Sequence, residues 1–153
     1  MNRKDFHARR GTPSDLEKLV SFAIAEAEEA EKTARPQELI REGVRVGLTD
    51  DSVALYWVLE KEDSEIIGNL SVVKEWSNWN AGYYWWIQSM FLLPGYRGKG
   101  LMGKLLEAVK EVARQEGAVD LRLYVHIGNE RAIKAYRKSG FSDLDYRIMT
   151  MPI

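Results

Sequence analysis

The amino-acid sequence predicts an α/β fold in a single domain that spans residues 1–153. Three observations carry this prediction. Apolar residues recur at helical spacing in the first third of the chain, and three consecutive middle segments show the alternation of an antiparallel meander. Helical and strand patterns then alternate to the end of the chain. No repeat, linker or low-complexity stretch marks off a second domain.

The first third of the chain predicts a short strand and two helices. The strand candidate is Phe6–Arg10. Thr12 is a candidate N-cap, with Pro13 at the first helical position, and apolar residues at helical spacing continue this helix towards Lys32. A second helix is predicted to begin near Pro36.

The middle of the chain predicts three strands that form an antiparallel meander. Each segment is rich in β-branched and aromatic residues, and short polar turns separate them. The three predicted strands are Val53–Glu60, Glu65–Trp76 and Tyr83–Leu93.

The last third predicts a helix, a strand, a helix and a strand. The first of these helices carries an apolar stripe and ends at Gly117. Alternation over residues 121–126 predicts the next strand. Asn129 caps the last helix and Gly140 closes it, and Phe141–Met151 is predicted to form the final strand.

A glycine-rich basic turn joins the third meander strand to the following helix, and it reads Pro-Gly-Tyr-Arg-Gly-Lys-Gly-Leu-Met-Gly-Lys-Leu-Leu. Backbone N–H groups at the start of a helix have no intrahelical acceptor, and the helix dipole adds positive charge there. Gly98, Gly100 and Gly103 let the backbone approach a ligand closely, while Arg97 and Lys99 add full charges. The turn therefore predicts a site for a pyrophosphate.

Two nucleotide-binding motifs fit this turn poorly. A P-loop requires Ser or Thr after its Gly-Lys pair, but Leu105 follows Lys104. The glycine spacing matches the dinucleotide fingerprint, yet the motif lies past mid-chain and the next strand ends in His126 instead of an acidic residue. We therefore disfavour both motifs.

The residues of this turn resemble the GNAT superfamily of acetyl-coenzyme A-dependent N-acetyltransferases, whose motif is Arg/Gln-x-x-Gly-x-Gly/Ala. Arg97 and Gly100 occupy its first two defined positions, whereas Met102 stands at the third and Gly103 follows one place later. A second family signature lies downstream, as Asn129-x-x-Ala132-x-x-x-Tyr136-x-x-x-Gly140-Phe141. The resemblance covers roughly residues 50–150.

The resemblance implies a GNAT-like fold, with a mixed, mostly antiparallel sheet, helices on both faces and two splayed strands that hold acetyl-CoA as a co-substrate. Main-chain groups of the third meander strand would bind the pantetheine arm, and the glycine-rich turn would hold the pyrophosphate. The residues expected to contact acetyl-CoA are Phe91, Leu92, Arg97, Gly98, Lys99, Gly100, Leu101, Met102, Gly103, Asn129 and Tyr136.

Amine acetylation calls for a proton donor to the departing thiolate and for an acceptor of the amine proton. Tyr136 occupies the family position of the general acid, and a tyrosine hydroxyl, with a reference pKa of about 10, suits a donor at neutral pH. Many relatives carry a basic carboxylate on the third meander strand, but this chain has Gln88 and Ser89 there. The remaining base candidates are Glu75, His126, Glu26 and Glu29, with a water chain as an alternative, and we expect Glu75 to serve.

The acceptor is expected to be a small cationic amine. Acidic residues cluster at 26–31, and aromatic residues gather around the meander, a combination that suits a cation through charge and cation–π attraction. The aromatic group comprises Trp76, Trp79, Tyr83, Tyr84, Trp85 and Trp86. The alternatives are acetylation of a protein amine, a non-catalytic acyl-CoA sensor, and a protein-interaction module.

Composition limits the remaining classes of function and partner. A net charge of −1 argues against nonspecific binding to nucleic acid. The absence of cysteine excludes disulfides, thiolate chemistry and zinc–thiolate sites, and no metal site is expected. We expect no membrane partner and a cytoplasmic location, and we hold open a homodimer whose interface covers exposed aromatic residues.

Overall fold

The computed structural model describes residues 2–32 and 34–153. Its main helices and strands follow one another in an alternating α/β order. These elements are β1 (Phe6–Arg10), α1 (Leu16–Glu31), α2 (Gln37–Thr49), β2 (Leu55–Lys61), β3 (Ile66–Ser77), β4 (Gly82–Leu92), α3 (Met102–Gln115), β5 (Asp120–Leu123) and α4 (Glu130–Lys138).

The described strands form one mixed sheet in the order β1-β2-β3-β4-β5. Neighbouring strands from β1 to β4 run antiparallel, whereas β4 and β5 run parallel. The predicted meander of β2, β3 and β4 is confirmed. A parallel pair needs a crossover connection, and α3 supplies it between β4 and β5.

Helices cover both faces of the sheet because the side chains of each strand alternate between two apolar environments. On β2, Tyr56 and Val58 pack with buried residues of α1 and α2. Leu55, Trp57 and Leu59 point the other way and pack against the apolar stripe of α3. The predicted fold class is confirmed.

The predicted final strand, Phe141–Met151, is wrong. No helix or strand occurs in residues 141–153, and every side chain after Phe141 in this stretch is exposed. The alternating pattern is that of a strand, but a strand is stable only when a neighbour accepts its backbone hydrogen bonds. In the structure this segment is not part of the five-stranded sheet.

Smaller differences concern where elements begin and end. The helix predicted from Pro13 starts with a 3₁₀ turn, Pro13–Asp15, and α1 begins at Leu16. At this start the Thr12 N–H donates to the Asp15 carboxylate (2.8 Å). The predicted strand over residues 121–126 is shorter in the structure, because β5 begins at Asp120 and its pairing with β4 ends at Leu123.

We expect Gly68→Ala to destabilise the protein, since an added Cβ would lie 2.6 Å from the Phe91 carbonyl oxygen and 2.5 Å from Leu92 Cδ2. A backbone atom cannot move aside cheaply, so the cost is about 2 kcal/mol of unfolding free energy. Gly43→Ala is the matched control: this exposed glycine in α2 meets nothing within 4 Å, so alanine should stabilise by about 1 kcal/mol. Urea denaturation of both variants checks this, and equal shifts in midpoint would contradict it.

Candidate active site

A cleft opens where β4 and β5 part. Their parallel pairing runs from Tyr84 and Asp120 to Ile87 and Leu123 and then stops, although β4 continues to Leu92. Beyond this point a cavity of about 1000 Å³ lies between β4 and the segment that follows β5. The end of α1 and α4 also bound this cavity. The splayed strands expected from the family resemblance are present.

A tight turn helps to carry the chain away from β4 after β5. The Gly128 N–H donates to Nδ1 of His126 (3.0 Å), and the Asn129 N–H donates to the His126 carbonyl (2.9 Å). Asn129 then caps α4 as predicted, because its Oδ1 accepts from the Ala132 N–H (3.2 Å). His126 and Asn129 both line the cavity, and α4 brings Tyr136 to its wall.

The glycine-rich turn has the backbone shape that its glycines predict. Gly98 and Gly100 have φ values of +74° and +72°, a region that side chains with a Cβ avoid. In the described part of the chain, the N–H groups of Gly98, Gly100, Leu101, Met102 and Gly103 donate to no protein oxygen. These outward amides are available to an anion, although the turn itself does not line the cavity.

The Arg97 side chain links the end of β4 to α1 through hydrogen bonds. Its Nε donates to the Leu92 carbonyl (2.8 Å), and its Nη2 donates to both carboxylate oxygens of Glu29 (2.9 and 3.1 Å). Its guanidinium also lies over the ring of Phe91, 5.2 Å from the ring centre. Arg97 therefore shapes the end of β4 in addition to adding charge, and the Leu92 carbonyl already has a donor.

Two further cations contact the glycine-rich turn. Lys99 donates through Nζ to the Gly95 carbonyl (2.7 Å). Arg3, which no sequence motif singles out, donates through Nη2 to the Gly100 carbonyl (2.6 Å). Arg3 and Gly100 are 97 positions apart in the sequence, so only the tertiary fold reveals that Arg3 adds positive charge at this turn.

Phe91 and Leu92 are buried, and their side chains pack in the core. Phe91 lies 5.1 Å from Phe22 of α1, between ring centres. The part of β4 that lines the cavity is Ile87–Met90, directly before them. Phe91 and Leu92 follow directly in the part of β4 that β5 leaves unpaired, so their backbone groups remain candidates for the pantetheine arm.

The Oε2 atom of Glu26, on α1, is fully buried and has no hydrogen-bond partner among the described residues. The backbone N–H of Met90, beyond the pairing of β4 with β5, lies near this carboxylate and favours its charged form. Burial, together with the neighbouring charge of Glu29, raises the pKa of Glu26 from 4.5 to about 7. A carboxylate that titrates near neutral pH inside a cavity is suited to proton transfer.

Tyr136 faces the same cavity as Glu26. Burial raises the pKa of Tyr136 above its ordinary value, and the negative charge of Glu26 raises it further. The same two causes raise the pKa of Tyr56, which lies beneath α1. Glu26 therefore lies close enough to both tyrosines to raise their pKa values, which spacing along the chain does not show.

A polar network lies under this part of the cleft. Ser89, which lines the cavity, bonds to Ser71 between hydroxyl oxygens 2.5 Å apart and accepts from Asn69 Nδ2 (3.1 Å). Ser71 also lies near the Tyr56 hydroxyl, where it partly offsets the rise in the pKa of Tyr56. Because Asn69 and Ser71 are buried, these hydroxyls and amides give the floor of the cleft a polar character.

The structure does not bring Glu75 to the cavity. Glu75 lies on β3 opposite Tyr84, with an exposed side chain. The predicted aromatic group is likewise elsewhere: Trp85 is buried in the core, and Trp79 is 83% exposed on the β3–β4 hairpin. The aromatic ring that does line the cavity besides Tyr136 is Tyr124, which stacks on Trp86 at 4.4 Å.

Within residues 2–32 and 34–153, histidines and acidic residues form no group of three or more that could hold a metal ion. No helix in these ranges combines the length and apolar character needed to cross a membrane.

Comparison with known proteins decides the family. A model described as the acetyltransferase (GNAT) family matches residues 16–141, which include both predicted signatures. The chain belongs to the GNAT family of acetyltransferases. Tyr136 and the glycine-rich turn both lie inside the matched region.

Two curated relatives and one solved structure illustrate this similarity. Over 85 residues the chain is 31% identical to the thialysine N-epsilon-acetyltransferase of Mus musculus, a match that covers 56% of this chain and 49% of that enzyme. It is 27% identical to the aminoalkylphosphonate N-acetyltransferase of Salmonella typhimurium, covering 91% of this chain and 86% of that enzyme. The match thus spans about half the length of the mouse enzyme.

The solved structure is that of an acetyltransferase candidate from Clostridium difficile 630. It superposes with a TM-score of 0.89 at 26% identity and covers 97% of both chains.

The burial of Glu26 predicts a pH dependence of stability. Its pKa is about 7 in the folded protein and 4.5 without burial, so between these values the folded state binds more protons than the unfolded state. The unfolding free energy of the wild type should therefore fall, relative to that of Glu26→Gln, by up to about 3 kcal/mol as the pH rises from about 4.5 to 8. Urea titrations at several pH values measure this.

Glu28→Gln is the matched control, since Glu28 lies on the exposed side of the same helix. Its unfolding free energy should follow that of the wild type across this pH range. A difference between wild type and Glu26→Gln that stays constant with pH would contradict a buried, proton-binding Glu26.

Proposed function

We propose that this protein transfers an acetyl group from acetyl-CoA to a small cationic amine, with Glu26 as proton acceptor and Tyr136 as proton donor. The observation that carries the proposal is the convergence of these two side chains on one cavity between splayed strands. GNAT acetyltransferases use acetyl-CoA as co-substrate, and the family match makes this the first chemistry to test.

The chain offers groups that suit acetyl-CoA. The free amides of Gly98, Gly100 and residues 101–103, at the start of α3, would hold a diphosphate, with Lys99 nearby. The stretch of β4 that β5 leaves unpaired would bond the peptide-like pantetheine arm, as an added strand does. Bound there, acetyl-CoA supplies an activated carbonyl carbon and a thiolate leaving group.

The proton balance assigns the two side chains. An ammonium group gives one proton to Glu26, directly or through water, and the neutral amine nitrogen then attacks the thioester carbonyl carbon. As the C–N bond forms and the C–S bond breaks, the departing thiolate takes the Tyr136 proton, and the new amide nitrogen sheds its surplus proton to restore the tyrosine. The proton on Glu26 leaves to solvent.

This proposal replaces Glu75 with Glu26 as the base, for reasons of position. Glu26 lines the cavity with a buried oxygen, whereas Glu75 is exposed on β3. The other acidic residues of the wall have partners: Glu29 pairs with Arg97, and Glu31 pairs with Arg35. Glu26 thus remains the acidic side chain of the wall that can receive a substrate ammonium.

The proposed acceptor class follows from the negative charge of Glu26 and from the amines in the names of the relatives. A buried carboxylate favours a cation, and the curated relatives are named for the amines thialysine and aminoalkylphosphonate. An acceptor that also carries an anion would meet Lys32 and His126, which line the same cavity. The size of the cavity, about 1000 Å³, suits a small molecule beside the acyl end of the cofactor.

Release of free thiol from acetyl-CoA, followed with a panel of amines, tests the proposal. We expect turnover with diamines, thialysine or aminoalkylphosphonates to be well above the turnover with lysine-containing peptides. Stabilisation by acetyl-CoA in a thermal-shift assay, without turnover on any amine, would instead indicate an acyl-CoA sensor. Absence of both would refute acetyl-CoA binding and leave the interaction module.

Tyr136→Phe should lower kcat by about 10²- to 10⁴-fold, because the thiolate would depart without its proton, while the Kd for acetyl-CoA stays within about twofold.

Glu26→Gln should lower kcat/KM by a similar factor near pH 7. Its kcat/KM should recover at higher pH, because there the amine itself loses its proton to water. Steady-state kinetics and calorimetry with acetyl-CoA measure both effects.

Glu75→Gln and Glu28→Gln serve as comparison variants with the same change of charge. Glu75→Gln tests the base predicted from sequence, and both should behave like the wild type. A loss confined to Glu75→Gln would move the base to β3, and an equal loss of acetyl-CoA affinity and turnover in Tyr136→Phe would refute its role as proton donor.

A further inference from the structure

A bulge in β4 lies where the candidate site opens. Gln88 is the extra residue of this bulge, opposite the junction of Ser71 and Val72 on β3, and its side chain is exposed. A bulge re-aims the side chains beside it. The next residue, Ser89, is half-buried and lines the cavity beyond the end of the pairing between β4 and β5.

Two buried side chains of β3 hold the Ser89 hydroxyl from behind. Asn69 Nδ2 donates to Ser89 Oγ (3.1 Å), and the Ser71 hydroxyl oxygen lies 2.5 Å from the same atom. Either hydroxyl can be the donor in the bond between the two serines, so Ser89 can give its hydrogen to Ser71. Because a hydroxyl oxygen has two lone pairs, Ser89 Oγ then keeps one of them for a donor in the cavity.

Two buried side-chain atoms lack a hydrogen-bond partner in the part of the chain that the structure describes, and both lie at this stretch of β4. One is Asn69 Oδ1, on the same carboxamide that donates to Ser89. The other is Glu26 Oε2, on the carboxylate near the Met90 N–H. Buried polar atoms in folded proteins almost always have a partner. Both of these atoms are hydrogen-bond acceptors, so the group that suits them is a donor.

A primary alkylammonium group is such a donor. Its nitrogen carries three hydrogens and has no lone pair, as in the side chain of lysine. A quaternary ammonium carries the same charge but no hydrogen on nitrogen. Hydrogen-bond acceptors therefore distinguish these two cations, whereas the charge of a carboxylate alone attracts both.

We infer that Ser89 makes the acceptor site specific for primary alkylammonium groups, with its Oγ accepting one ammonium hydrogen while the Glu26 carboxylate accepts another. Asn69 and Ser71 are positioning residues that hold this oxygen at the cavity wall. The inference rests on the proposed amine acceptor, and it adds a determinant that depends on hydrogen bonds as well as on charge. After Glu26 has taken its proton, the neutral amine still has two hydrogens, so the bond to Ser89 persists during attack on the thioester.

Steady-state kinetics of Ser89→Ala with diaminobutane test the inference. We expect the KM for the amine to rise by about 10- to 100-fold, because a hydrogen bond to a charged group is lost. Since this bond is present both before and during the reaction, kcat and the Kd for acetyl-CoA should stay within about threefold. An unchanged KM, with turnover intact, would overturn the inference and leave the proposed function standing.

Ser77→Ala is the matched control. Ser77 is a buried serine of β3 whose hydroxyl also has a side-chain partner, the Tyr84 hydroxyl (3.1 Å), but it does not line the cavity. Its loss should leave the KM for diaminobutane at the wild-type value. An equal rise of KM in both variants would show a general effect of losing a buried hydroxyl and would overturn the role of Ser89.

A fully methylated analogue separates hydrogen bonding from charge. Calorimetry in the presence of CoA compares diaminobutane with its analogue in which each nitrogen carries three methyl groups. The wild type should bind diaminobutane about tenfold or more tightly than the analogue, and Ser89→Ala should reduce this ratio to about threefold or less. Ser71→Ala should lower the same ratio by a smaller factor, which a merely structural role of Ser71 would not do.

Calorimetry needs no turnover, so the inference and the proposed function can fail separately. Binding of diaminobutane that depends on Ser89, without acetylation, would support the inference and refute acetyl transfer. A ratio that is the same in the wild type and in Ser89→Ala would overturn the inference, whether or not the protein turns over. A wild type that neither binds nor acetylates diaminobutane would overturn both.

Discussion

The parallel hydrogen bonds between β4 and β5 end at Ile87 and Leu123, and the candidate site depends on this early end. Up to that point α3 holds the two strands together as a crossover. Beyond it β4 keeps its antiparallel partner β3, while the chain after β5 turns away through His126. One side of β4 is thereby left with unpaired backbone groups, which is the kind of surface that an extended, peptide-like ligand can complete.

The same opening explains the character of Glu26. The Met90 N–H lies near the Glu26 carboxylate, whose Oε2 atom is buried without a partner among the described residues. Such a group is costly in its charged form unless a cation joins it, which is why its pKa lies near 7. A substrate ammonium would relieve that cost. Binding and proton transfer would then use the same destabilised carboxylate.

Backbone groups without partners lie at two places near the candidate site, the end of β4 and the start of α3. There they face a cavity or solvent next to positive charge, where a ligand would satisfy them.

Local pattern in the sequence determined the helices, the meander, the caps at Asn129 and Gly140, and the glycine-rich turn, because each depends on neighbours a few residues apart. The two family signatures, likewise local, determined the family. Tertiary structure alone decided that Glu26 and not Glu75 lies in the cavity, that Arg3 contacts Gly100, and that residues 141–153 pair with no strand among the described residues. Burial and strand pairing depend on residues distant in the chain, and spacing along the sequence carries no measure of them.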